Sequence, residues 1–423
     1  MAIDTPAKIA ILGAGPIGLE AGLYARFLGY DVEIFERGNV ADNVARWGHV
    51  RMFSPVGMNC SPLGLASLQA QDANFLAPNE DELLTGREWL ERYLLPLSQT
   101  DLLADHVRTQ TTVLSVAREQ LLKHELLGAP ARGESPFRIL IEGSEGTQSD
   151  TTADVVIDTT GVYGNPNWLG PGGAPAIGET DVRERIEYGV PDILGQQRDQ
   201  YAGCRVLLVG SGYSAATSVV ALAQLAEKAS GTRVTWVTRK PGADGQGPIK
   251  PIDNDRLDQR AQLTVAANRC AASVGTAVTH RPDTIVHAID FDSDAEKFSV
   301  ELRGSDPSRF EFDRVIANVG YRPQDRIYAE LQVHQCYASA GPMKLAAALL
   351  GAASADCLDQ TSHGPQALLN PEPNFYLLGA KSYGRNSNFL VQIGLQQIRE
   401  LFTLIGDREE LDLYKGAVTI LKQ

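Results

Sequence analysis

The chain has 423 residues, 43% of them hydrophobic and 21% charged, with a formal net charge of −14. That length predicts two domains with sizeable cores, and the acidic balance argues against nucleic acid or an anionic membrane surface as the main partner. No uninterrupted apolar run approaches the length that spans a bilayer, and Met1 to Ala7 is too short and polar for a signal peptide, so the expected compartment is the cytoplasm.

Lys8 to Leu12 reads as a buried strand and runs straight into the glycine turn Gly13-Ala-Gly-Pro-Ile-Gly18. A helical pattern through Leu19, Leu23 and Phe27 follows, then a second strand through Val32, Ile34 and Phe35 that ends on Glu36. This is a βαβ dinucleotide grip. Gly13 allows the tight turn, Gly15 lets backbone approach a pyrophosphate, and Gly18 lets helix pack on strand, with Pro16 and Ile17 between them. The free N–H groups and partial positive charge at the helix start suit phosphate. Glu36, 23 residues after Gly13, stands where a carboxylate accepts bonds from ribose hydroxyls.

Arg37 to about Pro78 reads as an irregular loop, because prolines and glycines interrupt every period. Glu80 to Leu97 reads as a helix, His106 to Val116 and Phe137 to Ile141 as strands, and Ala153 to Asp158 as a strand leading into Thr159-Thr-Gly161. Asn165 to Pro191, rich in Gly and Pro, looks like a linker.

The same unit then recurs. Arg205 to Val209 is a strand, Gly210-Ser-Gly-Tyr-Ser-Ala215 a second glycine turn, Ala215 to Lys228 a helix, and Arg233 to Val237 the next strand. Thr284 to Asp290, Phe298 to Leu302 and Phe312 to Pro323 repeat the later strands of the first half. Such ordered self-similarity is a strong fold signal. Asn374 to Gly379 is a last buried strand, Ala380 to Asn388 a polar loop and Phe389 to Ile405 a helix.

At the second turn, Gly210, Gly212, Tyr213, Ser214 and Ala215 form the nucleotide grip, and Arg239 and Lys240 follow the second strand where the first copy has an acid. Cations there suit a 2′-phosphate, which points to NADPH. The five cysteines, Cys60, Cys204, Cys270, Cys336 and Cys357, are scattered and odd in number, so reduced thiols and no disulfides are expected. The seven histidines show no metal-ligand spacing, and no metal is expected.

Two dinucleotide turns in this order, each followed by a glycine-containing return strand, resemble the two-dinucleotide-binding-domain flavoproteins over essentially the whole chain. The resemblance implies an α/β fold of two Rossmann-like three-layer domains: a discontinuous FAD domain over residues 1–165 and 322–423, with an NADPH domain inserted at 166–321. It implies FAD on the first turn, with Gly161 and Gly379 also beside the cofactor. Many members carry Gly-Asp at the last strand end, whereas this chain has Gly379-Ala380-Lys381. Disulfide reductases of this kind use C-x-x-C or C-x-x-x-x-C pairs, and neither spacing occurs here.

Gly-Ser-Gly-x-Ser-Ala215, Thr-Thr-Gly161 and Val-Gly-Tyr-Arg-Pro323 together resemble the flavin-containing monooxygenases and their N-hydroxylating relatives, although the F-x-G-x-x-x-H signature of that family is absent. That branch implies a flavin hydroperoxide that passes oxygen from O2 to an N or S centre of a small-molecule substrate. It places Trp47 beside FAD, Asn59 as a donor to the peroxide, and Arg46 and Arg37 near cofactor or substrate charge. The pocket would draw on Val44 to Leu65 and on the loop with Tyr383, Arg385 and Asn388. Two alternatives stand beside it: an NADPH-dependent reductase serving a quinone or protein acceptor, and a non-catalytic redox sensor. A homo-oligomer is left open.

Overall fold

The computed structural model describes residues 3–242, 247–273, 275–351 and 356–421. The chain divides into two compact units, one made of Met1–Asn165 with Arg322–Gln423, the other of Pro166–Tyr321.

In the first unit five parallel strands lie in the order Phe375–Leu377, Val155–Asp158, Lys8–Leu12, Asp31–Phe35, Val107–Arg108. Side chains alternate across a strand, so each strand serves two layers. Ile9, Ile11, Val32, Ile34 and Ile157 face helices Pro16–Phe27 and Val391–Gly406. Ala10, Leu12, Phe35, Val156 and Leu377 face an antiparallel sheet of Thr112–Arg118, Phe137–Glu142 and Gln148–Ala153. Both faces are buried, which is why these strands read as unbroken apolar runs. Each fully buried Ile or Leu contributes about 1.5–3 kcal/mol of transfer free energy.

The second unit repeats the plan. Four parallel strands run Val278–Arg281, Arg233–Val237, Arg205–Val209, Arg314–Ala317. Val206, Leu208, Val234 and Trp236 meet the helix Tyr213–Lys228. Leu207, Val209, Val237 and Val315 meet the antiparallel sheet Ile285–Asp292, Lys297–Arg303, Ser308–Phe312. The α/β fold with two Rossmann-like, three-layer cores is therefore present, and no disulfide joins the cysteines of the described residues.

Several local expectations are corrected. The segment from Asn165 to Pro191 is no linker. Leu169, Ala176, Val182 and Ile186 enter the second unit's core, and buried Glu179 accepts the amides of Leu169 and Ala176 and the Tyr188 hydroxyl. The helix expected from Glu80 starts only at Gly86, where Thr85 and Glu88 form a reciprocal capping box. It then opens into a π-helical turn, Leu90–Leu94, just ahead of Pro96, whose ring nitrogen cannot bond the Arg92 carbonyl. Within the supposed loop after Arg37, Pro62–Gln71 is a helix capped by Ser61. The strand expected from Ala153 to Asp158 belongs to two sheets that change over at Asp154.

Candidate functional site

At the first glycine turn Gly13 has φ +97°, and a Cβ on Gly18 would sit 1.9 Å from the Gly13 carbonyl oxygen. Only glycine fits there, because the helix start presses on the strand end. Gly15 faces open space instead: a Cβ on it would meet nothing within 4 Å. That is the room a pyrophosphate needs above the amides of the first helical turn, where Pro16 and Ile17 begin the helix. Glu36 Oε2 accepts the Ala14 amide at 3.0 Å and Oε1 the Gly38 amide at 2.9 Å, which fixes the carboxylate at the turn. Arg37 is exposed, with its guanidinium over Gly164, and Gly161 has φ +68°.

The second turn matches the first atom for atom in one respect. Gly13 N donates to Phe35 O and Gly210 N to Val237 O, so the position after the second strand is Glu36 in one copy and Thr238 in the other. Thr238 is neutral and buried, and its hydroxyl holds the Lys240 carbonyl at 2.9 Å, leaving Arg239 and Lys240 exposed. The long interval before Arg239 comes from a helix of 16 residues where the first copy has 12. Gly210, with φ +136°, approaches the Asn318 carbonyl. Gly212 again faces open space, Tyr213 and Ser214 begin the helix, and Ala215 is fully buried where the first copy has Gly18.

The loop from Arg46 to Asn59 is ordered by packing. Trp47 lies against Gly86 and Trp89, and its buried Nε1 has no partner. Asn59 is 4% exposed, and its amide nitrogen lies 2.9 Å from Ser54 O, Ser54 Oγ and Pro55 O. Its donors are thus used inside its own loop. Arg46 is exposed and pairs with Asp42 at 2.9 Å, one helical turn away.

The segment Ala380 to Asn388, expected as a polar loop, opens with a buried 3-10 turn, Gly379–Tyr383. Gly379 packs on Ile17 of the first glycine turn, and its amide donates to Gln397. Lys381 is buried and bonds Asp158 and Thr160. Tyr383 Oη and His363 Nε2, buried and without partners, line a cavity of about 10 Å³ together with Leu345, Ile393 and Glu400. That volume admits one water-sized group.

Behind the first turn, Glu20 is buried in the helix Pro16–Phe27 and accepts a hydrogen bond from the Tyr93 hydroxyl. Burial pushes its carboxyl up to about 7, more than the bonds from Tyr93 and Ser61 pull it down. Cys60 sits beside it, and burial drives its thiol well above the usual range, so it is not a ready thiolate. Sequence reasoning missed Glu20, Thr238 and the Lys381–Asp158 pair. An acid inside the helix of a dinucleotide motif, and Asp158 closing an apolar strand, were visible signals. The pairing of Asp158 with a residue 223 positions away was not.

No helix of the described residues is long and apolar enough to cross a membrane, and no group of three or more His, Cys, Asp or Glu is placed to hold a metal among them. No family model and no curated protein sequence matches the chain. Solved structures do. Bacillithiol disulfide reductase Bdr from Bacillus cereus shares 17% identity at a TM-score of 0.65, over 95% of this chain and 99% of that one. The FAD-bound cadaverine monooxygenase DfoA from Erwinia amylovora shares 12% at 0.62, over 96% of each chain. Thioredoxin reductase from T. acidophilum shares 17% at 0.55, over 93% of this chain and 97% of that one. The fold of this chain is that of the two-domain flavoprotein oxidoreductases, shared by reductases and monooxygenases alike.

Proposed function

We propose that the protein is an NADPH- and FAD-dependent oxidoreductase, and that it works as a monooxygenase on an N or S centre of a small molecule. The observation that carries the cofactor assignment is the pair of glycine turns with unlike strand ends: a carboxylate at Glu36 and a neutral Thr238 followed by exposed Arg239 and Lys240. A carboxylate suits the ribose of FAD, and cations suit the 2′-phosphate of NADPH. Open space above Gly15 and Gly212 fits two dinucleotides. On this reading the first unit is the FAD domain and the inserted unit the NADPH domain. FAD supplies the hydride acceptance and the reaction with O2. The chain's part is to bind and orient both nucleotides and to exclude water.

The monooxygenase reading draws support from the chain's thiols. Cys60 is buried with a raised thiol, and no second cysteine stands at a resolving spacing. The likeness to DfoA adds to it, while the likeness to Bdr and thioredoxin reductase keeps a reductase as the second reading. The test is a stopped-flow spectrum of FAD-loaded protein mixed first with NADPH and then with O2, alongside product analysis on amine and sulfide panels. NADPH should bleach the flavin and O2 should restore it with oxygenated product. Restoration that yields only hydrogen peroxide, or turnover of a quinone or disulfide, favours the reductase. A flavin that NADPH leaves oxidised overturns both.

A further inference from the structure

The sequence places a lysine where related strand ends carry an acid, and the cofactor reading alone leaves that lysine without a task. Lys381 and Asp158 have side chains 1% and 0% exposed. Nζ donates to Asp158 Oδ2 at 2.6 Å and to Thr160 Oγ1 at 2.9 Å, and lies 5.0 Å from the Tyr328 ring centre. Asp158 Oδ1 in turn accepts the Thr160 amide at 3.0 Å and the Thr160 hydroxyl at 2.7 Å. Two of the three ammonium N–H groups are thereby used inside the cluster, and the ammonium itself is buried.

Burying such a pair costs desolvation that attraction only partly offsets, and an apolar pair of similar volume is often at least as stable. What charge-assisted bonds add is direction. Here they bind the ends of two neighbouring parallel strands, Val155–Asp158 and Phe375–Leu377, at the edge where such sheets take their ligands. Both strand ends lead within a few residues to left-handed glycines, Gly161 at φ +68° and Gly379 at φ +70°. Both also press on the dinucleotide turn. A Cβ on Gly13 would lie 3.2 Å from Thr160 Cα, and one on Gly379 3.2 Å from Ile17 Cγ1.

We propose that the Lys381–Asp158 pair is a positioning device for the flavin: it sets the mutual register of the Gly161 and Gly379 turns against the first glycine turn. This rests on the FAD assignment above. In this chain the strand-end charge is turned inward and acts through backbone.

The test uses the full chain, freed of flavin and titrated with FAD. It compares wild type, Lys381→Arg, Lys381→Met, and Lys381→Met combined with Asp158→Leu. The melting temperature of the apoprotein, the FAD dissociation constant, and the visible circular dichroism and midpoint potential of the bound flavin are read for each. Lys381→Met leaves Asp158 buried without its cation and should lower the melting temperature. The double variant should regain part of that stability, since both charges are gone while the Thr160 amide and hydroxyl lose their acceptor, yet bind FAD at least tenfold more weakly with an altered flavin dichroism and potential. Lys381→Arg should recover part of the affinity. A double variant that melts like wild type and binds FAD within twofold, with unchanged dichroism and potential, overturns the proposal and leaves the pair as internal cement. A wild-type chain that takes up no FAD fails the underlying cofactor assignment instead.

Discussion

Replacing Glu20 by Gln should flatten the dependence of stability on pH between about 4.5 and 7. The Glu20 carboxyl is buried, its bond partner is the Tyr93 hydroxyl, and its Oε2 has no partner. Burial holds its pKa at about 7 against 4.5 in the unfolded chain. The folded state therefore keeps a proton that the unfolded chain gives up. Stability is full below 4.5, declines as pH rises, and has lost the whole contribution once pH passes 7. The gap corresponds to about 3 kcal/mol at roughly 1.4 kcal/mol per pH unit. Glutamine has nearly the same shape and cannot ionise, so its melting temperature should not follow this decline. Calorimetric melts of both proteins at intervals from pH 5 to 8.5 would show the curves diverging in favour of the variant, by several degrees at the upper end. Parallel curves would refute the reasoning, because they would mean that Glu20 is ionised in the folded protein at the same pH as in the unfolded one.

Other outcomes follow from the same geometry. Gly18→Ala should abolish FAD retention, measured as bound flavin absorbance after purification, because its methyl would lie 1.9 Å from the Gly13 carbonyl oxygen. Arg239→Ala should raise the KM for NADPH by about tenfold to a hundredfold while leaving that for NADH nearly unchanged, since a charge-assisted contact is worth about 1.5–3 kcal/mol; equal effects on both would remove Arg239 from the phosphate site. Cys60 should resist iodoacetamide at pH 8 in the folded protein, and Cys60→Ala should retain turnover. Asn59→Ala should lower the melting temperature through its loop, with little change in how fast the reduced flavin reacts with O2.

The two parallel-sheet units were legible because each strand is covered on both faces. Double coverage makes a strand apolar at every position, as in Ile9 to Leu12 and Val206 to Val209, and such runs followed by glycine turns are hard to mistake. Segments whose shape depends on particular side-chain bonds to backbone were not legible. Asn165 to Pro191 has a linker's composition, yet Glu179 collects enough buried amides to fold it onto the core. Pro62–Gln71 was hidden by the proline that in fact starts it, with Ser61 as its cap. Asn59 has the right neighbours for a loop beside a cofactor, but pattern alone does not tell whether an amide turns outward or bonds its own backbone. Lys381 read as a departure from a family habit, and only its neighbours in space show that it bonds Asp158 and Thr160.

The first unit's split chain also has a consequence for synthesis. Its edge strand Phe375–Leu377 and the helix Val391–Gly406 lie more than 360 residues after Leu12. At roughly 5–20 residues per second, a ribosome needs about 20–70 seconds to deliver them. The whole inserted unit emerges in that interval and has every strand of its own sheet. The first unit meanwhile waits with Ile17 and Tyr24 uncovered where that helix will pack. During that wait the nascent chain is one finished domain tethered to an open apolar half, and chaperones or aggregation compete for that half.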